Sequence, residues 1–361
     1  MSITHDIAEQ LEAAMQGTPL DYSTIIALNQ KLAGEYAKES KFGKSVACLE
    51  AALEAAEQEA QQQPDNNDNP SDLDAVRQKA DIYFQLALYY DRVNEGEKAL
   101  HAAEKALELF QSCEAESDYP KTYRRLGAIQ IELGQPDEGF NNLDIALDWA
   151  EKNGDNLLRA GIYVTLAEAL NHFKSPDDSY KYYQMAAGLY ENEEEWNEAA
   201  INYQSIGRLL HNYGNNKKAI EMYKKSAECY ENADGFDEEK GLNYMLLARI
   251  LESVSRNEEA TKYYEKAVPC FIKAENHFET ANCYIQSAIL YQEKKQWANV
   301  LDTYQKALPY AEYSADEMLL GTIHDGIEHA KEEVQKRGNG SSNQDSDKDG
   351  FWGKMKKIFG K

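Results

Sequence analysis

Several short runs in this chain have residue types whose spacing suggests chemistry, and each meets a specific requirement or fails it. Phe42-Gly43-Lys44-Ser45 has the ending of a phosphate-binding loop, but the first glycine of G-x-x-x-x-G-K-S falls on Lys38. The run also lies inside a helical pattern rather than after a strand. His324 and His329 are five residues apart, so they do not share a helix face as a metal pair would. Asp345-x-Asp347-x-Asp349-Gly350 matches the first half of a calcium loop, with carboxylates at positions one, three and five and glycine at six. Position twelve, which supplies the bidentate carboxylate, is Lys356, and a lysine there removes two ligands and adds a repelling charge. An acidic, solvated linker is the plainer account. Asn339-Gly340-Ser341 spells a glycosylation site, which only a secreted chain would use. No catalytic constellation remains, and the expectation is a protein that is not an enzyme and holds no cofactor or metal.

The last eleven residues have a different character. At 100° per residue Phe351, Trp352, Met355, Ile358 and Phe359 fall within an arc of about 120°. Lys354, Lys357 and Lys361 line one flank and Lys356 the other, with Gly353 and Gly360 opposite. Apolar residues bordered by lysines make the pattern of a helix that lies in a membrane interface. The segment resembles the C-terminal membrane-targeting helices of bacterial division proteins. That resemblance implies peripheral attachment to an anionic membrane surface. Two alternatives stay open: a docking peptide for another protein, and a segment that folds back on the chain's own acidic body.

The elements that would carry these features come from a repeat. Between Gly241 and Lys273, Tyr244, Leu247, Ala248, Leu251, Ala260, Tyr264 and Ala267 stand at intervals of 3, 1, 3, 9, 4 and 3. Intervals of three and four place side chains on one helical face, and the gap of nine holds a turn, so the stretch is a helical hairpin. The leading aromatic recurs as Tyr83, Tyr123, Tyr163, Tyr203, Tyr244 and Tyr284, in steps of 40, 40, 40, 41 and 40, with Asn29 in a first, degenerate unit. A small residue recurs in the first helix as Ala33, Ala87, Gly127, Ala167, Gly207, Ala248 and Ala288. In the second helix the column reads Ala52, Ala106, Ala146, Ala186, Ser226, Ala267 and Ala307. Small side chains at a crossing let two helices approach closely.

These intervals resemble the tetratricopeptide pattern over roughly residues 20–337. The resemblance implies an all-α solenoid, a right-handed superhelix of about seven hairpins. The period is about 40 rather than 34 and the closing proline is missing, which predicts second helices longer by a turn and a half. Long-period versions occur in adaptors such as the SNAP vesicle-fusion proteins, so the resemblance also implies a scaffold with protein or peptide partners. In such proteins, positions one and five after the leading aromatic tend to face an inner groove. Here position five reads Glu168, Arg208, Arg249 and Ile289, and position one reads Val164, Gln204, Met245 and Ile285. His211 and Asn212 lie a turn further along, as do Asn171 and His172. The partner groove is expected at Gln204, Arg208, His211, Asn212, Met245 and Arg249. Arg208 and Arg249 would clamp a partner's carboxylates, or else pair with nearby Glu168 and Glu252.

Composition sets the remaining bounds. A net charge of −25 argues against a nucleic-acid partner. The five cysteines, Cys48, Cys113, Cys229, Cys270 and Cys283, contain no C-x-x-C and read as free thiols in a reducing cytoplasm. The stretch from Met1 to Gly17 lacks the pattern of a secretory signal, and no run is apolar enough to span a bilayer. The expected division is 1–19, with a short capping helix over 6–16, a solenoid over 20–337, a linker over 338–350 and the tail over 351–361. Within the solenoid, 61–71 reads as a loop and 315–336 as a last helix. The expected location is the cytoplasmic face of a membrane, with oligomerisation reinforcing a single weak anchor.

Overall fold

In the computed structural model, residues 3–17, 20–62, 70–173 and 175–338 are described. They form sixteen α-helices, and no strand occurs among them. Seven hairpins account for fourteen: α2 (Tyr22–Lys38) with α3 (Phe42–Gln62), α4 (Pro70–Arg92) with α5 (Gly96–Ser112), and α6 (Tyr119–Glu132) with α7 (Pro136–Asn153). They continue as α8 (Asn156–His172) with α9 (Pro176–Asn192), α10 (Trp196–Asn212) with α11 (Asn216–Asn232), and α12 (Asp237–Ser253) with α13 (Asn257–Lys273). The last pair is α14 (His277–Glu293) with α15 (Trp297–Ser314). Helix α1 (Ile3–Gln16) precedes them and α16 (Glu317–Gly338) follows. The chain divides into two compact units, residues 1–202 and 203–361.

The small-residue columns explain how the hairpins close. All fourteen positions are buried, and each alanine among them is fully so. Where glycine takes the place of alanine, the reason is steric. A Cβ on Gly127 of α6 would stand 2.7 Å from the Gly139 carbonyl of α7, and one on Gly207 2.7 Å from the Tyr223 ring.

From α8 to α14 every helix is 17 residues long, with three-residue connections except between α11 and α12. Two such helices and two such connections make the 40-residue period. The extra length is therefore shared by both helices of a hairpin, where the missing proline suggested the second alone. The connection between α11 and α12 spans four residues, 233–236, and this extra residue is the source of the single step of 41. Most connections close alike. After α12, Ser255 has φ +61°, the Ser255 amide donates to Glu252 and the Arg256 amide to Leu251. This is a Schellman closure, whose left-handed residue is usually glycine. Here it is Asn94, Glu114, Glu194, Ser255, Glu275 or Lys295 at most sites.

The segment expected as a loop over 61–71 is shorter than that. Helix α3 continues to Gln62, and Pro70 opens α4, with residues 63–69 outside the described set. Proline suits a first helical turn because its absent N–H has no partner there.

Candidate partner-binding surface

In the second unit, Arg208 and Arg249 each follow a small buried residue, Gly207 and Ala248, and both are exposed. Twenty residues after the leading tyrosines Tyr203 and Tyr163 stand Tyr223 and Tyr183, and the same interval links Tyr244 to Tyr264 and Tyr284 to Tyr304. These second-helix tyrosines are buried at 5% exposure or less. Tyr223 packs on the Gly207 backbone beside Arg208. Burial pushes its hydroxyl up to about 12, and the Arg208 guanidinium pulls the other way. Within residues 203–338 Arg208 makes no ion pair. Arg249 and Glu252 share a network: the Tyr264 hydroxyl donates to Glu252 at 3.3 Å, while Arg249 offsets the upward push of burial and of Glu252 on that hydroxyl.

The other expected groove residues divide. Gln204 is half-buried, and His211 and Asn212 are exposed, with His211 Nδ1 2.7 Å from Asn216 Oδ1. Met245 is a correction. It is 8% exposed and belongs to the apolar cluster that holds Leu251, Tyr264 and Cys283. Ile285, at the same position of the next repeat, is fully buried. An apolar side chain in that column turns into the packed interior, where its burial is favourable, rather than out to a partner.

A polar cluster in the first unit uses the same columns and was not among the expected residues. Arg124 and Arg125 follow Tyr123 by one and two, and Asp91 and Arg92 follow Tyr83 by eight and nine. The Arg124 side chain is drawn inward over Gly161 of α8, where a Cβ would stand 3.1 Å from Cζ and overlap Nη1. Arg125 Nη1 lies 3.7 Å from Asp91 Oδ2. Glu132 is exposed on α6, and partial desolvation together with the neighbouring Asp91 carboxylate pushes it up to about 7, against the pull of Arg125. The Arg-Arg pair directly after a leading tyrosine is the sequence signal that marks this cluster.

The remaining motifs resolve simply. Phe42-Gly43-Lys44-Ser45 opens α3, with Ser45 Oγ donating to the Ala33 carbonyl at 2.9 Å and Lys44 over the Tyr36 ring. His329 meets Trp297 edge-on. All five cysteines are free, and burial pushes the thiols of Cys283, Cys270 and Cys48 up. Among the described residues no group of three or more His, Cys, Asp and Glu could hold a metal ion. Among the same residues no helix is long and apolar enough to cross a membrane. The calcium-loop-like run and the amphipathic tail from Phe351 to Lys361 lie outside the described residues.

Repeated antiparallel helical hairpins with small residues at every crossing define an α-helical repeat protein. Residues 158–232 and 241–312 match the tetratricopeptide repeat family model, so this part of the chain is built of tetratricopeptide repeats. No curated protein sequence matches it significantly. Among solved structures it is similar to the apo form of the quorum sensor NprR from B. thuringiensis. That match has 14% identity and a TM-score of 0.54, covering 85% of this chain and 82% of the other. It is also similar to aspartyl phosphate phosphatase F from Bacillus subtilis, at 12% identity and a TM-score of 0.53 over 96% of this chain and 98% of that one. At these identities the likeness is one of fold.

Proposed function

We propose that this protein is a non-enzymatic adaptor that binds an acidic segment of a partner protein along its first helices and attaches peripherally to a membrane through its tail. The observation that carries the partner half is Arg208 and Arg249 at the same register of consecutive repeats, exposed, in a chain of net charge −25. Guanidinium forks match carboxylates bidentately, so two in register favour an acidic strand or helix. Gln204, His211 and Asn212 supply hydrogen-bonding groups around them. The membrane half rests on the tail's apolar arc and its bordering lysines.

The test takes partners captured by the full chain, identifies them, and measures binding of their acidic segments as peptides. Arg208→Glu with Arg249→Glu should abolish that binding while leaving helicity intact. Undiminished binding by the double variant would remove the clamp. A second reading is a soluble assembly or cargo factor, favoured by the short, linker-borne form of the tail. It becomes the better account if the tail peptide captures a protein while the full chain ignores vesicles.

A further inference from the structure

The last hairpin, α14 with α15, breaks a polar pattern that its neighbour keeps. In the hairpin of α12 and α13, Lys273 pairs with Asp237 at 3.0 Å, joining the end of α13 to the start of α12. Asn276, just before α14, donates to Glu238 at 2.8 Å. One 40-residue period later the matching pairs are Tyr313 with His277 and Asp316 with Phe278. The first of these is a ring contact, with centroids 4.9 Å apart. Tyr310 lies 6.1 Å from His277 and Tyr284 6.1 Å from Tyr310, so the rings form a continuous row. Tyr313 is 77% exposed, Phe278 42%, and Met318, one period after Phe278, 64%. Exposed rings thus stand where the preceding hairpin has an ion pair and a hydrogen bond, and a grouped apolar surface of this kind marks a contact site.

Charge defines what fits it. Residues 274–280 and 310–320 contain five acids, Glu275, Glu279, Glu312, Asp316 and Glu317, and no lysine or arginine. Among the described residues none of the five makes an ion pair. Rings bordered by unpaired carboxylates are complementary to an apolar face bordered by cations. The chain carries such a face in residues 351–361, which hold the arc from Phe351 to Phe359, four lysines and no acid.

The tether is long enough. Arg337 donates to the Lys295 carbonyl at 2.8 Å, so α16 finishes beside the connection between α14 and α15. From there to His277 is the length of α14, 17 residues or about 25 Å. The 13 residues 338–350 span about 20 Å on average and about 45 Å at full extension. A segment tethered within that range meets the surface at an effective concentration of order millimolar, so even a weak contact is populated.

We propose that the tail of the same chain docks on the Tyr313–His277 surface and forms a latch that opens before the tail enters a membrane. The apolar arc covers the rings, and the lysines meet Glu312, Asp316 and Glu317. Rings and bilayer compete for one apolar arc, so the two bound states exclude each other. A tail docked about four-fifths of the time lowers the apparent affinity for a membrane about fivefold. The docking stands on this surface and on the tail's composition; only its regulatory consequence rests on the tail's proposed membrane role.

The experiment uses the full chain with fluorine-labelled tryptophan, followed by fluorine NMR. Trp352→Phe identifies the Trp352 signal among the four tryptophans, and the 351–361 peptide gives its undocked position. The expected signal in the intact chain is displaced from the peptide position and stays so on tenfold dilution. Tyr313→Ser should return it to the peptide position, and Glu312→Gln with Glu317→Gln should return it part of the way. Because Tyr313 is mostly exposed, helicity and the Trp297 signal should not change. Vesicles of phosphatidylcholine with about one-third phosphatidylserine should bind the Tyr313→Ser chain about fivefold more tightly than the wild type. A Trp352 signal at the peptide position in the wild type would overturn the latch, whatever the vesicles do. A displacement lost on dilution would make the occupant the tail of a second copy and overturn docking within one chain. A displacement indifferent to Tyr313→Ser would overturn this surface. Release by Tyr313→Ser with no vesicle binding by either chain would uphold the docking and overturn the tail's membrane role, and with it the regulation.

Discussion

The same substitution, glycine to alanine, should have opposite signs at two positions of the first unit. At Gly127 the backbones of α6 and α7 touch: an added Cβ would stand 2.7 Å from the Gly139 carbonyl oxygen and 2.8 Å from Leu143 Cγ. The approach is mutual, since a Cβ on Gly139 would meet the Gly127 carbonyl at 2.8 Å. Leu143 is fully buried, and neither carbonyl can swing aside without opening its helix. Overpacking of this kind costs about 1–3 kcal/mol. Alanine's better helix propensity returns up to ~1 kcal/mol. The net expectation for Gly127→Ala is a loss of about 1–2 kcal/mol. Gly188 in α9 has nothing within 4 Å of the same added atom, so Gly188→Ala keeps the propensity gain alone, about 0.5–1 kcal/mol. Urea melts followed by helicity, at unchanged slope, should place the two variants on opposite sides of the wild type. Equal stabilisation by both would show that α6 and α7 do not approach as closely as Gly127 and Gly139 require.

Three further outcomes are expected. The full chain should co-sediment with vesicles containing anionic lipid, less so as salt rises, since each tail lysine contributes about 1 kcal/mol; Trp352→Glu with Ile358→Glu should leave it in the supernatant, and wild-type levels of sedimentation by that variant would refute the anchor. Glu132 is held above its ordinary range, up to about 7, so its contribution to stability is full below pH 4.5 and falls as pH rises to 7; Glu132→Gln should match the wild type at pH 4.5 and exceed it at pH 8, by at most ~1 kcal/mol because the carboxyl is partly solvated. Glu194, exposed with φ +60°, should become more stable as Glu194→Gly by about 1 kcal/mol in the same melts, because glycine carries no Cβ penalty in the left-handed region.

The hairpins were legible because their signal is periodic and redundant. Ala248 and Ala267 are small for a reason that recurs in every repeat, and the fourteen positions of the two columns all end in the interior. The closures were not legible, because Glu194, Ser255 and Glu275 occupy the left-handed position where glycine would have announced it. In those turns the backbone hydrogen bonds of neighbouring helices fix the conformation, and the residue type only tolerates it. The site was readable by column but not by side-chain direction. Position one after the leading tyrosine names Met245 and Arg124 alike, and in both the side chain turns inward. For Met245 that direction removes it from any groove, since its burial is satisfied by Leu251 and Tyr264. For Arg124 the same direction carries a charge inward, where the absent side chain of Gly161 leaves room for the guanidinium and Tyr190 and Glu168 act on it electrostatically. One column thus yields a packed apolar residue or an inward-seated charge according to the side chain it carries.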